Sequence, residues 1–188
     1  MGSFWIGTSG WQYRDWKQRF YPKEVPQNQW LRYYCERFPT VEINNSFYVQ
    51  PNERSWERWR ETAPEGFRFA VKAHRYLTHR KRLKDCEESL GRVINSAQRL
   101  KDRLGPVLFQ LPPYFRHNDE NIERLKAFIE LLPAGIQAAF EFRDKSWFGQ
   151  DTLDLLRRHG VAFCSYDMPG LECPLTTTAP FAYIRLHG

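Results

Sequence analysis

Side chains able to bind or move protons recur two apart in four short apolar runs: Glu42, Asn44 and Ser46 in VEINNSFY, Lys72 and His74 in FAVKAH, Glu141 and Arg143 in AAFEFRD, Arg185 and His187 in AYIRLHG. Carboxylates set among cations are the raw material of acid–base chemistry. Glu42 and Glu141 are candidates for general acid and base, with His187 or Asp167 as relay. Arg143 and Arg185 can hold an anionic group by forked hydrogen bonds, and Lys72 adds a point charge. Lys72 has two roles open to it, Schiff-base formation or ion pairing with Glu42 or Glu141. The expected catalytic set is therefore Glu42, Lys72, Glu141, Asp167 and His187. The expected binding set is Asn44, His74, Arg143, Trp147 and Arg185, with Trp147 included because an aromatic just past Arg143 can wall a pocket and stack on a sugar or base.

Positioning these groups requires strands. A strand turns successive side chains to opposite faces, so each polar set shares one face while Val41 and Ile43, Val71 and Ala73, Phe140 and Phe142, or Ile184 and Leu186 take the other. The same parity adds Gln110, Ser165 and Asp167 to the polar face. Seven strand-like runs are expected: Phe4 to Ser9, Thr40 to Phe47, Arg68 to Ala73, Pro106 to Leu111, Gln137 to Arg143, Val161 to Tyr166 and Phe181 to His187. Helical spacing fills the intervals, with Trp30, Tyr33, Tyr34 and Phe38 in one and Trp56 and Trp59 in another. Ser89 to Leu104 forms a third, Ile122 to Leu132 behind the cap Asn118 a fourth, and Leu153 to Gly160 a fifth. Met168 to Pro180 is too rich in proline to be other than a loop. Strands alternating with helices make a parallel sheet covered on its faces. The turn Gly7-Thr8-Ser9-Gly10-Trp11 lacks the spacing of a dinucleotide-binding open sheet, and polar inward faces favour a TIM-like (β/α) barrel whose functional end lies at the C-terminal ends of the strands.

A chain of 188 residues suits one domain, and 27% charged with 16% aromatic residues excludes disorder. The net charge of +6 inclines the chain towards anionic partners. The run His79-Arg80-Lys81-Arg82-Leu83-Lys84 is either a phosphate-backbone contact or a solvated flexible loop. The four cysteines make no C-x-x-C pair, so neither a zinc nor a redox motif is indicated, and Cys35 and Cys164 read as small core residues. Glu42, Glu141, Asp167, His74 and His187 include possible metal ligands, but three cations on the same face oppose a divalent ion, and no metal or other cofactor is expected. No apolar run approaches membrane-spanning length, and a reducing cytoplasm is the expected compartment.

Six motifs in order, GTSGW with FYP, TVEIN with SFY, FRFAVKA, GPVLFQLPP, EFR with SWF, and YIRLHG, resemble the YecE-like family, domain of unknown function 72. The resemblance implies a TIM-like barrel with its motifs on successive strands, and no reaction. Members of that family continue past the RLHG motif into a further helix and strand. The expectation is thus seven of eight strands, with exposed barrel edges through which an oligomer could form. Three functional readings follow. The first is an enzyme using an anion-binding barrel pocket for acid–base or hydrolase-type chemistry on a phosphate- or carboxylate-bearing substrate. The second is a nucleic-acid-binding or processing protein, and the third a catalytically inactive truncated barrel.

Overall fold

The computed structural model describes residues 2–187 and divides the chain into two compact units, one running to Lys72 and taking in Val93–Gly105, the other formed by Ala73–Arg92 and Pro106 onward. In the first unit, helix α1 (Trp30–Cys35) leads to strand β1 (Thr40–Ile43), helix α2 (Glu53–Thr62) and strand β2 (Arg68–Lys72). Asn52 starts α2 by accepting the Ser55 backbone N–H at 2.9 Å, which satisfies one of the helix's orphan donors. Strands β1 and β2 pair in parallel, Glu42 opposite Ala70 and Ile43 opposite Val71. One face thereby presents Val41, Ile43, Phe69 and Val71 to a core built from Trp11, Tyr21, Trp30, Tyr34, Trp56 and Trp59.

The predicted first strand is not formed among the described residues, so the strands number six and not seven. Phe4 to Ser9 is instead held at its far end. The Glu42 N–H donates to the Thr8 carbonyl at 2.9 Å, and the Thr8 N–H donates to the Tyr34 hydroxyl at 2.9 Å. A Cβ at Gly7 would stand 2.0 Å from the Thr40 carbonyl oxygen, so only glycine allows this approach. Phe4, Trp5 and Ile6 before it are exposed, and no ladder is available to register them as a strand.

In the second unit, β3 (Leu104–Gln110, whose first two residues belong to the first unit), β4 (Ala138–Glu141), β5 (Ala162–Tyr166) and β6 (Tyr183–Arg185) pair successively in parallel. Helix α3 (Glu87–Ala97) precedes β3 and spans the division. Helix α4 (Asp119–Glu130) is capped by Asn118, which accepts the Asn121 N–H at 2.8 Å, as expected from the sequence. Helix α5 (Gln150–Arg158) ends in a basic turn and Gly160, whose φ of 62° provides the left-handed exit. Residues 168–180 form a loop, fastened to β5 where Thr178 Oγ1 accepts the Phe163 N–H at 2.7 Å and donates to the Val161 carbonyl at 2.6 Å. The pattern is α/β with parallel strands, the arrangement from which TIM-like folds are built.

Candidate functional site

Parallel register assigns side chains to faces directly. Gln110 lies opposite Glu141 and Leu108 opposite Ala139, while Ala139 pairs with Ala162 and Cys164 with Tyr183. Leu108, Ala139, Ala162 and Cys164 form a small apolar cluster with Tyr183 packed against it. Beyond this apolar layer, towards the C-terminal ends of the strands, the same face carries Glu141, Arg143 and Arg185. The opposite face of β4 is aromatic, Phe140 stacking on Phe142 and Phe142 on Trp147.

Glu141 is wholly buried and both its oxygens are engaged. Oε1 accepts from Arg143 Nε, and Oε2 accepts from Arg185 Nη1 at 2.7 Å. Arg143 also donates through Nη1 to Met168 Sδ at 2.6 Å and through Nη2 to His187 Nε2 at 2.9 Å, and its guanidinium lies 4.7 Å from the Tyr166 ring centre. An arginine can only donate, so His187 Nε2 is the acceptor. The other ring nitrogen, Nδ1, stands 2.8 Å from the Asp167 carbonyl, which can only accept. Together these contacts make Nε2 the acceptor and place a proton on Nδ1. The Asp167 carboxylate accepts the His187 backbone N–H, closing the end of β6 onto β5. Burial pushes the Tyr166 phenol well above its ordinary range, with Cys173 reinforcing the rise and Arg143 opposing it, and its O–H donates to the Phe142 carbonyl.

A model of the family described as protein of unknown function DUF72 matches residues 5–188. The chain belongs to the DUF72 family. It is 31% identical to UPF0759 protein YunF of Bacillus subtilis over 88% of this chain and 61% of that protein. It is 25% identical to UPF0759 protein YecE of Escherichia coli K12 over 78% of this chain and 50% of that protein. The chain thus spans about half to three fifths of the curated relatives it matches. Among solved structures, a DUF72 family protein from Thermotoga maritima superposes with a TM-score of 0.87 at 35% identity, covering 98% of this chain and 74% of that one. A second, from Enterococcus faecalis, gives 0.78 at 21% identity over 96% of this chain and 69% of that one.

Within the DUF72 chain, the residues singled out from sequence fall into three groups. Glu141, Arg143, Arg185 and His187 come together in the second unit, and Asp167 is joined to His187 there. Glu42 and Lys72 are buried in the first unit, at β1 and the end of β2, with Lys72 Nζ 4.2 Å from the Phe47 ring centre. Just past β1, Asn44 Oδ1 is buried with no hydrogen-bond partner among the described residues, and Ser46 Oγ shares its proton between the Ile43 and Lys72 carbonyls at 2.8 and 2.7 Å. Trp147 and His74 make up the third group. Trp147 is fully buried between Phe115 and Phe142, with Nε1 donating to the Phe115 carbonyl at 2.6 Å, so it offers no face to a ligand. His74 accepts the Tyr76 N–H on Nδ1 at 3.2 Å and so shapes the turn after β2.

Register also corrects one parity. Phe163 pairs with Phe140 and Ser165 with Ile184, so Ser165 and, by continuation, Asp167 lie on the face away from Glu141. Cys164 and Tyr166 take the inward places, with Cys164 Sγ 3.9 Å from Glu141 Oε2. Ser165 Oγ donates instead to the Pro174 carbonyl at 2.8 Å, holding the following loop. Tyr166 and Met168, which surround Arg143, were absent from the expected set. Counting from Cys164 and not Ser165 would have found Tyr166. A surface recess between α4 and α5, lined by Ile122, Lys126, Asp151, Leu155 and His159 among others, holds none of the predicted site residues.

Proposed function

We propose that this chain binds the phosphate or carboxylate group of a small substrate at the C-terminal ends of β4 and β6 and performs acid–base chemistry on it. The observation that carries this reading is a ratio: two guanidiniums converge on one fully buried carboxylate. Taking a carboxylate and two guanidiniums out of water costs several kcal/mol for each ion even when they pair. Apolar side chains would serve stability as well, so the two converging forks of donors are best accounted for by an anionic group that arrives with the substrate.

In this reading Arg143 and Arg185 are the binding residues, and Glu141 positions both of them by holding one on each oxygen. His187 is the proton acceptor. Its Nδ1–H is taken by the Asp167 carbonyl, so the lone pair on Nε2 faces the guanidiniums. A substrate that displaces this nitrogen from Arg143 gains a base at the point where its own anionic group is held.

The test is thermal denaturation in phosphate, sulfate and sugar phosphates. Saturable stabilisation by at least one of them is expected, lost in Arg143→Ala and Arg185→Ala. If all leave the melting temperature unchanged while either substitution raises it, the cations are frustrated structure and the reading fails.

A further inference from the structure

The positive charge of this chain is concentrated in one place. Between residues 75 and 84 stand Arg75, Arg80, Lys81, Arg82 and Lys84 with no Asp or Glu, a charge of +5 out of a formal total of +6. The rest of the molecule is close to neutral.

This segment is built, although its composition alone allows a flexible loop. It follows β2 as a single π turn over Tyr76–Arg80, closed by the Lys81 N–H donating to the Tyr76 carbonyl at 2.8 Å. Arg82, Leu83 and Asp85 then adopt φ values of 51°, 63° and 50°, a left-handed conformation that non-glycine residues seldom take. Leu77, Leu83 and Cys86 are buried and anchor it, and the Leu83 N–H donates to the Leu77 carbonyl at 3.0 Å. Anchoring the apolar side chains inward turns Arg75, Arg80, Arg82 and Lys84 out to solvent. Two aromatic rings stand among them. Tyr76 is 44% exposed and lies 6.0 Å from Lys81 Nζ, while Tyr114, from the loop after β3, is 60% exposed and lies 5.1 Å beneath the Arg82 guanidinium. The acidic residues next along the chain are Asp85, and Glu87 and Glu88 in the first turn of α3, and Lys81 Nζ is turned to the Asp85 carbonyl at 3.0 Å.

Exposed cations interleaved with exposed rings suit a flexible polyanion that carries flat bases. We propose that the segment 75–84 together with Tyr114 binds single-stranded nucleic acid, the cations following the backbone and the two tyrosines stacking on bases. A duplex keeps its bases stacked internally and would leave the rings unused. This surface is distinct from the arginine pair on Glu141.

Fluorescence anisotropy with a labelled oligothymidylate tests it. Binding is expected at low salt, with log affinity falling against log salt at a slope of about −3 to −4 if five phosphates are met. The variant Arg80→Glu/Arg82→Asn/Lys84→Glu, in which asparagine tolerates the left-handed backbone, should lose about tenfold or more, and Tyr114→Ala about fivefold. The reversal Lys126→Glu/Arg157→Glu/Arg158→Glu on α4 and α5 should leave binding largely intact, as should Arg143→Ala. Melting curves confirm that each variant is folded. Four results overturn the proposal: no binding at low salt, equal loss from the α4 and α5 reversal, tighter binding to duplex or to anionic lipid vesicles than to the single strand, or no effect of Tyr114→Ala.

Discussion

Around α1 in the first unit the polar tips are those of phenols, an indole and a thiol; around Glu141 in the second they are a carboxylate and two guanidiniums. The Tyr21 hydroxyl donates to the Trp11 carbonyl at 2.6 Å, the Tyr34 hydroxyl to the Thr40 carbonyl at 3.0 Å, and Trp30 Nε1 to the Val25 carbonyl at 3.2 Å. Each polar tip meets a backbone group that the fold would otherwise leave unsatisfied, and each stays neutral. Burial pushes Tyr21 and Tyr34 above their ordinary values and lifts the Cys35 thiol to about 12. Around Glu141 the polar atoms are instead those of one carboxylate and two guanidiniums meeting each other. Neutral tips pin a fold at little electrostatic cost. Paired charges cost desolvation that apolar side chains of similar volume would avoid.

Removing the carboxylate tests that contrast most severely. Glu141→Ala removes the buried carboxylate that both guanidiniums meet and should cost about 3–5 kcal/mol, which for a chain of this size lowers the melting temperature by about 10 °C. The combined replacement Glu141→Leu/Arg143→Met/Arg185→Leu should recover most of that loss while abolishing any anion response. If the triple variant is as unstable as Glu141→Ala, the charges hold the fold together and the contrast collapses. In the first unit the corresponding change is smaller. Tyr34→Phe removes the hydroxyl that serves the Thr8 N–H, the Thr8 hydroxyl and the Thr40 carbonyl, with an expected cost of about 1–3 kcal/mol in urea denaturation. An effect below about 0.5 kcal/mol would mean that water replaces the phenol at no net loss.

Much of this arrangement can be read from the residues alone, and the failures have physical causes. Helices α4 and α5 declare their ends through Asn118 and Gly160, because caps and left-handed exits act locally. Alternation puts Glu141, Arg143 and Arg185 on one face because Phe140 and Phe142, or Ile184 and Leu186, must turn the other way. Strand β5 defeats the same reasoning. Ala162, Phe163, Cys164, Ser165 and Tyr166 are all buried, so neither face is marked by polarity, and only the pairing with β4 and β6 decides which is inward. Trp147 misleads for a related reason. An aromatic after a strand end can wall a pocket or pack beneath it, and the choice depends on Phe115, which arrives from another loop. Phe4 to Ser9 has the composition of a strand, but a strand also requires a ladder, and composition says nothing about partners.

The finest test of the contrast is the pH dependence of the neutral polar groups around α1. Cys35 keeps its proton because burial disfavours the thiolate, with the neighbouring Glu36 carboxylate adding to the effect and a backbone hydrogen bond opposing it. In the unfolded chain the thiol ionises near its ordinary 9.0, while in the folded chain it holds its proton until about 12. Between those values the unfolded state releases a proton that the folded state retains, so rising pH favours unfolding. The contribution is complete below 9 and is lost as pH climbs towards about 12. Urea midpoints at about pH 8 and about pH 10.5 should therefore fall more for the wild type than for Cys35→Ala. Tyr21 and Tyr34 push the same way from their ordinary 10, but they remain in both proteins, so the difference in slope isolates the thiol. Equal slopes would mean that Cys35 is reached by water, and that the first unit's interior is less dry around α1 than its aromatic packing implies.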